Sequence, residues 1–395
     1  MPHPPRIALA HDWLCGFRGG EAVLDRIAQL IAREFPHSPP PRLYIMTDDR
    51  RPLSPAIDAL PKARSFLSRI PGGNTRLRRW LLPLYPRAVD GLSRQLAADH
   101  AREPIDLLIS TSSAAIKGLC PPTGVPHLCY CHSPARYIWS QSAQYSGGLR
   151  GIGLRLARNG FQSWDRATAA NVTQFVANST HTAREIARCY QREAVVIHPP
   201  VRTDFFTPDP SVPREDFWLC IGALEPYKRF DLAIDAAAIA GARLVIAGGG
   251  SHEGTLRARA AHAASTSSRR ARIEFAGRVN NEQLRDLYRR ASVLLFPQIE
   301  DFGIVAVEAQ ACGLPVAATA GGGALDSVVD GQTGALVRDA TPQGLADAAS
   351  DVARHARADG SWHDRCRANA ERFAERVFDG AMLAQIRRLL PGSAG

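Results

Sequence analysis

The sequence predicts an α/β protein built as two doubly wound parallel-sheet units in series. Two patterns and the length carry that expectation. Short apolar runs alternate with helical patterns along the whole chain, and glycines, cations or acids gather just after many of the runs. At 395 residues the chain exceeds one typical core, so two units of about 200 residues each are expected. A hydrophobic content of 45% with 22% charged residues fits a soluble globular protein, and no stretch of 18 apolar residues exists to span a bilayer.

In the first half, Ile7–Ala10 reads as a strand, followed by His11-Asp12-Trp13 and then Gly16-Phe17-Arg18-Gly19-Gly20-Glu21. An amphipathic helix follows to about Phe35, with Val23, Leu24, Ile27, Leu30 and Ile31 on one side. Strand, Gly-rich loop and helix start form a pocket where backbone can approach a phosphate or a sugar. The glycines do not follow the GxGxxG spacing of a dinucleotide fingerprint. Leu43–Met46, Leu107–Ile109, Leu128–Cys131 and Phe175–Ala177 read as further strands. His132 stands at the carboxyl end of one of them, before Ser133-Pro134-Ala135-Arg136, where it can face a ligand or serve as a structural histidine. Gly147–Gly153 reads as a Gly-rich loop, and Asn178-Ser179 ends another strand and can cap a helix beginning near Thr182. Val195–His198 closes the first unit, residues 1–201, and the Pro-rich Arg202–Arg214 is the linker candidate.

The second unit, 202–376, restarts with the strand Phe217–Ile221. Gly222-Ala223-Leu224-Glu225-Pro226-Tyr227-Lys228-Arg229 leads into a helix over Phe230–Ala240. Two adjacent cations at a strand's carboxyl end suit a diphosphate, Lys228 as a point charge and Arg229 as a fork. Leu244–Ala247 ends in Gly248-Gly249-Gly250, Ile273–Phe275 ends in Ala276-Gly277-Arg278, and a helix over Glu282–Arg290 follows. The buried-strand run Val293–Phe296 then opens Gln298-Ile299-Glu300-Asp301-Phe302-Gly303, a helix over Ile304–Ala311, and a strand from Val316. Glu300 lies in the loop and Glu308 about two turns into the helix, so they cannot share one helical face. They read as two separate reaches beside one helix N-terminus. The C-terminal segment 377–395 is helical, with Phe378, Met382, Ile386 and Leu389 near helical spacing, and is expected to return to the first unit.

Charge is uneven. Residues 1–200 carry 25 Lys and Arg against 14 Asp and Glu, whereas residues 201–395 carry 23 against 24. Much of the excess sits in Lys62–Arg94, eight basic residues with only Asp90 as an acid, interleaved with Phe66, Trp80 and several leucines. That mixture suits an anionic membrane surface, Arg76, Arg78, Arg79 and Trp80 at its centre; a solvated helix face over core residues is the other reading. No nucleic-acid motif accompanies it. Eight cysteines without a CxxC pair suggest reduced thiols, and the first residues lack the apolar region of a signal peptide.

With these residues assembled, the chain resembles a retaining glycosyltransferase of family 4. The marks are Glu300-(Asp301–Val307)-Glu308 with Gly313-Leu314-Pro315-Val316, Gly222…Glu225-Pro226-Tyr227-Lys228-Arg229-Phe230-Asp231, and His11-Asp12-Trp13…Gly19-Gly20-Glu21. Tyr130-Cys131-His132-Ser133-Pro134 and Asn178-Ser179…Pro199-Pro200-Val201 add to them. The resemblance implies the GT-B fold, two Rossmann-like domains facing a cleft, and leans toward bacterial mannosyltransferases of polysaccharide assembly. It implies that Glu308 holds the donor ribose and Glu300 the donor sugar. It sets Lys228 on the departing diphosphate and His132 on the sugar. The amides of Asp301, Phe302, Gly303 and Ile304 would face sugar and diphosphate, Gly19 and Gly20 would let the N-terminal loop approach, and Arg278 would lie by the base. Arg136 would face the acceptor. Where many members carry Arg after the glycine of the second motif, this chain has Ala223, and Arg229 is the candidate replacement.

The implied reaction is front-face transfer with retention, the leaving phosphate oxygen taking the acceptor proton while the protein positions and stabilises charge. No Asp-x-Asp motif occurs, so metal independence is expected, with no cofactor beyond the nucleotide-sugar substrate. The implied donor is GDP-mannose, with a UDP-sugar as the alternative, and a non-catalytic nucleotide- or membrane-binding subunit as a more distant one. The implied acceptor is a polyprenyl diphosphate-linked saccharide, met from the cytoplasm at the inner membrane face. Closure about Arg202–Arg214 would complete the site.

Overall fold

The computed structural model describes residues 3–70, 81–139, 159–266 and 271–390. Arg76, Arg78, Arg79, Trp80 and the Gly147–Gly153 loop lie outside the described residues. The chain divides into two compact units, Met1–His198 with Phe378–Gly395, and Pro199–Val377.

The first unit holds a seven-stranded parallel sheet: β1 (Ile7–Leu14), β2 (Arg42–Asp48), β3 (Lys62–Arg64), β4 (Leu107–Ser112), β5 (His127–Cys131), β6 (Gln174–Ala177) and β7 (Ala194–Val196), in the order β3-β2-β1-β4-β5-β6-β7. Both faces of such a sheet are buried, and the alternation along β1 shows how. Ile7 and Leu9 pack under the helices Gly19–Glu34 and Glu375–Leu389, while Ala8 and Ala10 pack under the helix Tyr85–Arg102. Phe378, Met382 and Ile386 of the C-terminal helix sit fully within that first layer. Asp379 fixes the same helix, accepting a two-pronged contact from Arg26 at 2.8 and 2.7 Å and a third from Arg33 at 2.8 Å.

In the second unit the sheet is β8 (Trp218–Ile221), β9 (Arg243–Ala247), β10 (Arg272–Gly277), β11 (Val293–Phe296), β12 (Val316–Thr319) and β13 (Gly334–Val337), ordered β10-β9-β8-β11-β12-β13 and parallel throughout. Cys220, Ile246 and Leu295 meet the helices Phe230–Ala240 and Pro342–Ala358, while Leu219, Leu294 and Phe296 meet Ile304–Ala311.

Two strands escape the apolar-run reading, β3 and β13, and each is the outermost strand of its sheet. An edge strand pairs on one side only and needs less apolar surface, so Lys62-Ala63-Arg64 forms one with a single buried residue. β1 also runs four residues beyond its expected end, through His11 and Asp12, which are buried despite their polarity.

The boundary differs from the expected 201/202. Val201 is buried, bridges Ala374 and belongs to the second unit. Arg202–Arg214, expected as a linker and hinge, is a strap bound along that unit. Phe206 is fully buried, and Arg202 lies over the rings of Phe205 and Phe206. The carbonyls of Thr203 and Phe206 accept from Arg367 at 2.7 and 2.8 Å, and Arg214 donates to the carbonyls of Tyr288, Ala291 and Cys312. Its proline-rich polarity suggested a free tether because the arginines that satisfy its carbonyls come from far along the chain. Burial lowers the Arg214 guanidinium to about 10, yet three carbonyls still hold it. None of the eight cysteines forms a disulfide.

Candidate functional site

In a doubly wound sheet the order of strands reverses at one point, and the loops after the two strands there diverge to leave a crevice. In the second unit that point lies between β8 and β11. The loop after β8 carries Lys228 and the loop after β11 carries Glu300. Their side chains form an ion pair, Lys228 Nζ to Glu300 Oε1, with 13% and 20% of each side chain exposed. The pair is therefore shielded but reachable. Gln298, itself buried, donates to the same Glu300 oxygen at 3.2 Å.

Backbone packing fixes both loops. Gly303 has a φ of +85°, and a Cβ there would stand 2.5 Å from the Phe296 ring, so only glycine lets the chain turn tightly into the helix Ile304–Ala311. Gly321-Gly322-Gly323 lies directly against this loop: the Gly323 amide donates to the Glu300 carbonyl at 2.9 Å, and a Cβ on Gly322 would stand 2.0 Å from that oxygen. The amides of the helix's first turn have no earlier carbonyl within the helix, and their partial positive charge faces the loop's end. Phe302 is buried against Phe373, ring centroids 5.5 Å apart, which anchors the turn from below.

Glu308, inside the same helix, accepts from the Tyr288 hydroxyl at 3.2 Å. Burial raises its carboxyl to about 7, partly opposed by that hydrogen bond and by the charge of Arg202. Glu300 and Glu308 thus have different partners, Lys228 and Gln298 for the first and Tyr288 for the second. Arg229 turns elsewhere: its backbone is left-handed at φ +53° and its guanidinium pairs with Asp231 at 3.2 Å, about half exposed. Arg278 follows β10 and lies over Gly249, where a Cβ would come within 3.1 Å of its Nε. Asp301, Gly303 and Ile304 border the Glu300 loop and helix start as expected.

The first unit reverses between β1 and β4. Asp12, with no exposed surface, accepts from the amides of Ser113, Ala114, Ala115 and Ile116 at 2.6 to 2.9 Å. It fixes the loop after β4 and offers no oxygen to a ligand. Neighbouring His11 joins Thr111, its partner across the sheet, Nδ1 to Oγ1 at 2.6 Å, leaving its Nε2 buried without a partner. His132 Nε2 is likewise buried without a partner. Burial, with the charges of His11 and Arg136 nearby, lowers the His132 imidazolium to about 3, so it is neutral near pH 7. Both rings converge on Gly20, whose added Cβ would be 3.7 Å from His11 Cε1 and from His132 Nε2. Gly19 has open space where a Cβ would stand. Sequence alone does not mark His11 as a site residue, because its neighbours say nothing of His132, 121 positions on.

A surface cavity lined by Trp218, Arg243, Arg272, Arg354 and Arg357 lies at the amino ends of β8 to β10. Its arginines already face Glu215, Glu274, Asp351 and Asp216. It is a charge-balanced surface feature at the other end of the sheet from Lys228. Among the described residues no helix is long and apolar enough to cross a membrane.

The chain matches two family profiles in succession: Glycosyltransferase Family 4 over residues 19–205 and Glycosyl transferases group 1 over residues 201–372. Among curated relatives, it is 33% identical over 233 residues to the D-inositol 3-phosphate glycosyltransferase of Mycobacterium avium (strain 104), covering 55% of each chain. To the enzyme of that description from Mycolicibacterium smegmatis it is 39% identical over 172 residues, covering 40% of this chain and 39% of that one. The chain spans about half the length of such relatives or less. Solved structures extend the likeness over nearly the whole chain. Sucrose-phosphate synthase from Thermosynechococcus elongatus matches at a TM-score of 0.72 and 19% identity, covering 97% of this chain and 99% of that one. HepE of Anabaena in complex with UDP matches at 0.68 and 16%, covering 96% and 99%. The lipopolysaccharide outer core galactosyltransferase WaaB matches at 0.68 and 18%, covering 98% and 100%. These likenesses show the fold, two Rossmann-like units of the GT-B kind.

Proposed function

We propose that this chain, whose two successive profile matches support a family 4 glycosyltransferase, moves a sugar from a nucleoside diphosphate sugar to an acceptor hydroxyl with retention at the anomeric carbon. The carrying observation is the Lys228–Glu300 pair at the switch point of the second sheet, beside the N-terminus of Ile304–Ala311. A diphosphate there meets the Lys228 ammonium and the first-turn amides, which stabilise the charge that grows on the leaving phosphate. Glu300 accepts from sugar hydroxyls and Glu308 from ribose hydroxyls. Neither is given a covalent role, and the leaving phosphate oxygen takes the acceptor proton. The neutral His132 at Gly20 suits a hydroxyl rather than a phosphate. Arg278 beside Gly249 lines the base region. Arg136 is assigned to the acceptor, and Arg229 to the periphery of the donor phosphates, its fork shared with Asp231.

The donor we favour is GDP-mannose, on the resemblance of the Tyr-Lys-Arg-Phe-Asp segment and the N-terminal start to bacterial mannosyltransferases, and the reaction is taken as metal-independent. A UDP-sugar is the second reading, favoured by the UDP complexes among structural neighbours. The proposed acceptor is a lipid-linked saccharide at the inner face of the cytoplasmic membrane, supported by the basic excess of residues 1–200. A soluble anionic acceptor is the competing reading, favoured by the relatives named for D-inositol 3-phosphate. Incubating the chain with GDP-mannose, UDP-glucose, UDP-galactose and UDP-N-acetylglucosamine, with and without chelator, tests donor and metal together. Release of GDP from GDP-mannose in chelator supports the first reading. Turnover of a UDP-sugar alone replaces it by the second, and release of nucleotide from none overturns both.

A further inference from the structure

The ion pair that joins Lys228 to Glu300 has a consequence for ligand selection. The diphosphate and Glu300 are both anions, and both are directed at one ammonium group. Glu300 is not free to withdraw. Its carbonyl is held by Gly323, its loop is backed by Gly322, and its Oε1 is also held by the buried Gln298. Lys228 is held on the other side by the turn Pro226–Lys228, with its Nζ beside Gly222 and the Tyr227 ring. Lys228 and Gln298 both meet Glu300 at Oε1, and one-fifth of the Glu300 side chain is exposed.

We propose that Glu300 is a specificity-determining residue that discriminates the intact sugar nucleotide from the bare nucleoside diphosphate. This rests on the donor-site reading above. A bare diphosphate ends in a phosphate with an additional negative charge and no hydroxyl donor. It loses part of Lys228 to the carboxylate and is repelled by it. An intact donor has one charge fewer there and offers sugar hydroxyls that donate to the carboxylate, so the same residue attracts it. The effect keeps the spent nucleotide from holding the site against fresh donor.

Glu300→Gln keeps the shape and removes the charge, while Glu300→Asp keeps the charge. Affinities of GDP, UDP, GDP-mannose and UDP-glucose for the full chain, measured by titration calorimetry, test the assignment. Glu300→Gln should tighten whichever nucleoside diphosphate binds the wild type by about fivefold or more and weaken the matching sugar nucleotide. The tightening should shrink in 1 M salt, where exposed charges are screened within about 3 Å. Glu300→Asp should keep the wild-type order of affinities, and Lys228→Met should weaken both ligands. If Glu300→Gln binds the nucleoside diphosphate no more tightly than the wild type, the discrimination role is overturned while the donor site stands. If the wild type binds neither nucleoside diphosphate nor sugar nucleotide, the donor site falls and this inference with it.

Discussion

Asp12 and Glu300 each lie where the strand order of a sheet reverses, Asp12 within the first strand of its pair and Glu300 in the loop after the second, and the protein uses them in opposite ways. At the β1/β4 reversal four amides and the Ser112 hydroxyl saturate Asp12, so its charge serves only the fold. His11 Nε2 and His132 Nε2 are buried there without a partner, beside the backbone of Gly20. At the β8/β11 reversal the carboxylate is one-fifth exposed and faces a lysine, and the nearby backbone is fixed by glycines instead. One reversal carries a carboxylate spent on its own loop, and the other a carboxylate paired with a lysine and left partly exposed. Topology sets where the strands part, and the partners of each carboxylate set whether its charge is available.

The sharpest way to break that contrast is Asp12→Ala. Four buried amides lose their acceptor, and the loss should be about 4 kcal/mol or more of unfolding free energy, read from urea denaturation of the full chain. Unchanged stability would show that Asp12 is not structural. Lys228→Met should do the converse: about 100-fold or more lost from kcat, with stability moved by less than about 1 kcal/mol because the pair is partly solvated. A large stability loss would place Lys228 with Asp12.

A smaller effect concerns pH. Burial raises the Glu308 carboxyl to about 7, above its unfolded range. The stability contributed by its protonated form is therefore complete below about pH 4.3 and is lost as pH rises through about 7. With Glu308 in its proposed ribose-holding role, nucleotide affinity should run the other way, because hydroxyls donate best to the ionised form. Affinity should rise several-fold between about pH 6 and about pH 8, with proton release on binding detected as buffer-dependent heats in calorimetry. Glu308→Gln should flatten both trends; a persisting affinity rise would assign it to another group.

Smallest is Gly20→Ala. Its added methyl meets both histidines at ordinary contact distance, and alanine favours the helix it joins, so thermal stability should hold or rise slightly. Transfer should nevertheless fall several-fold if a ligand approaches that backbone. Unimpaired transfer would remove Gly20 from the site.

The sequence by itself determined the elements whose cause is local. Val293–Phe296 is a strand because four apolar residues end at a proline, and Ile304–Ala311 is a helix bounded by Gly303 and Gly313. Each needs only its own residues and immediate neighbours. That Glu300 and Glu308 do not share one helical face likewise follows from their spacing alone. Only the tertiary structure decided the rest. Whether Asp12 is a ligand or a strut depends on amides about 100 positions away. That Lys228 meets Glu300 depends on which loops β8 and β11 bring together across 72 positions. Arg202–Arg214 is a bound strap rather than a tether because Arg367, far along the chain, donates to its carbonyls. Strand and helix formation follow from apolar periodicity within a few residues. The partner of a charge is set by chain topology, which no local pattern encodes.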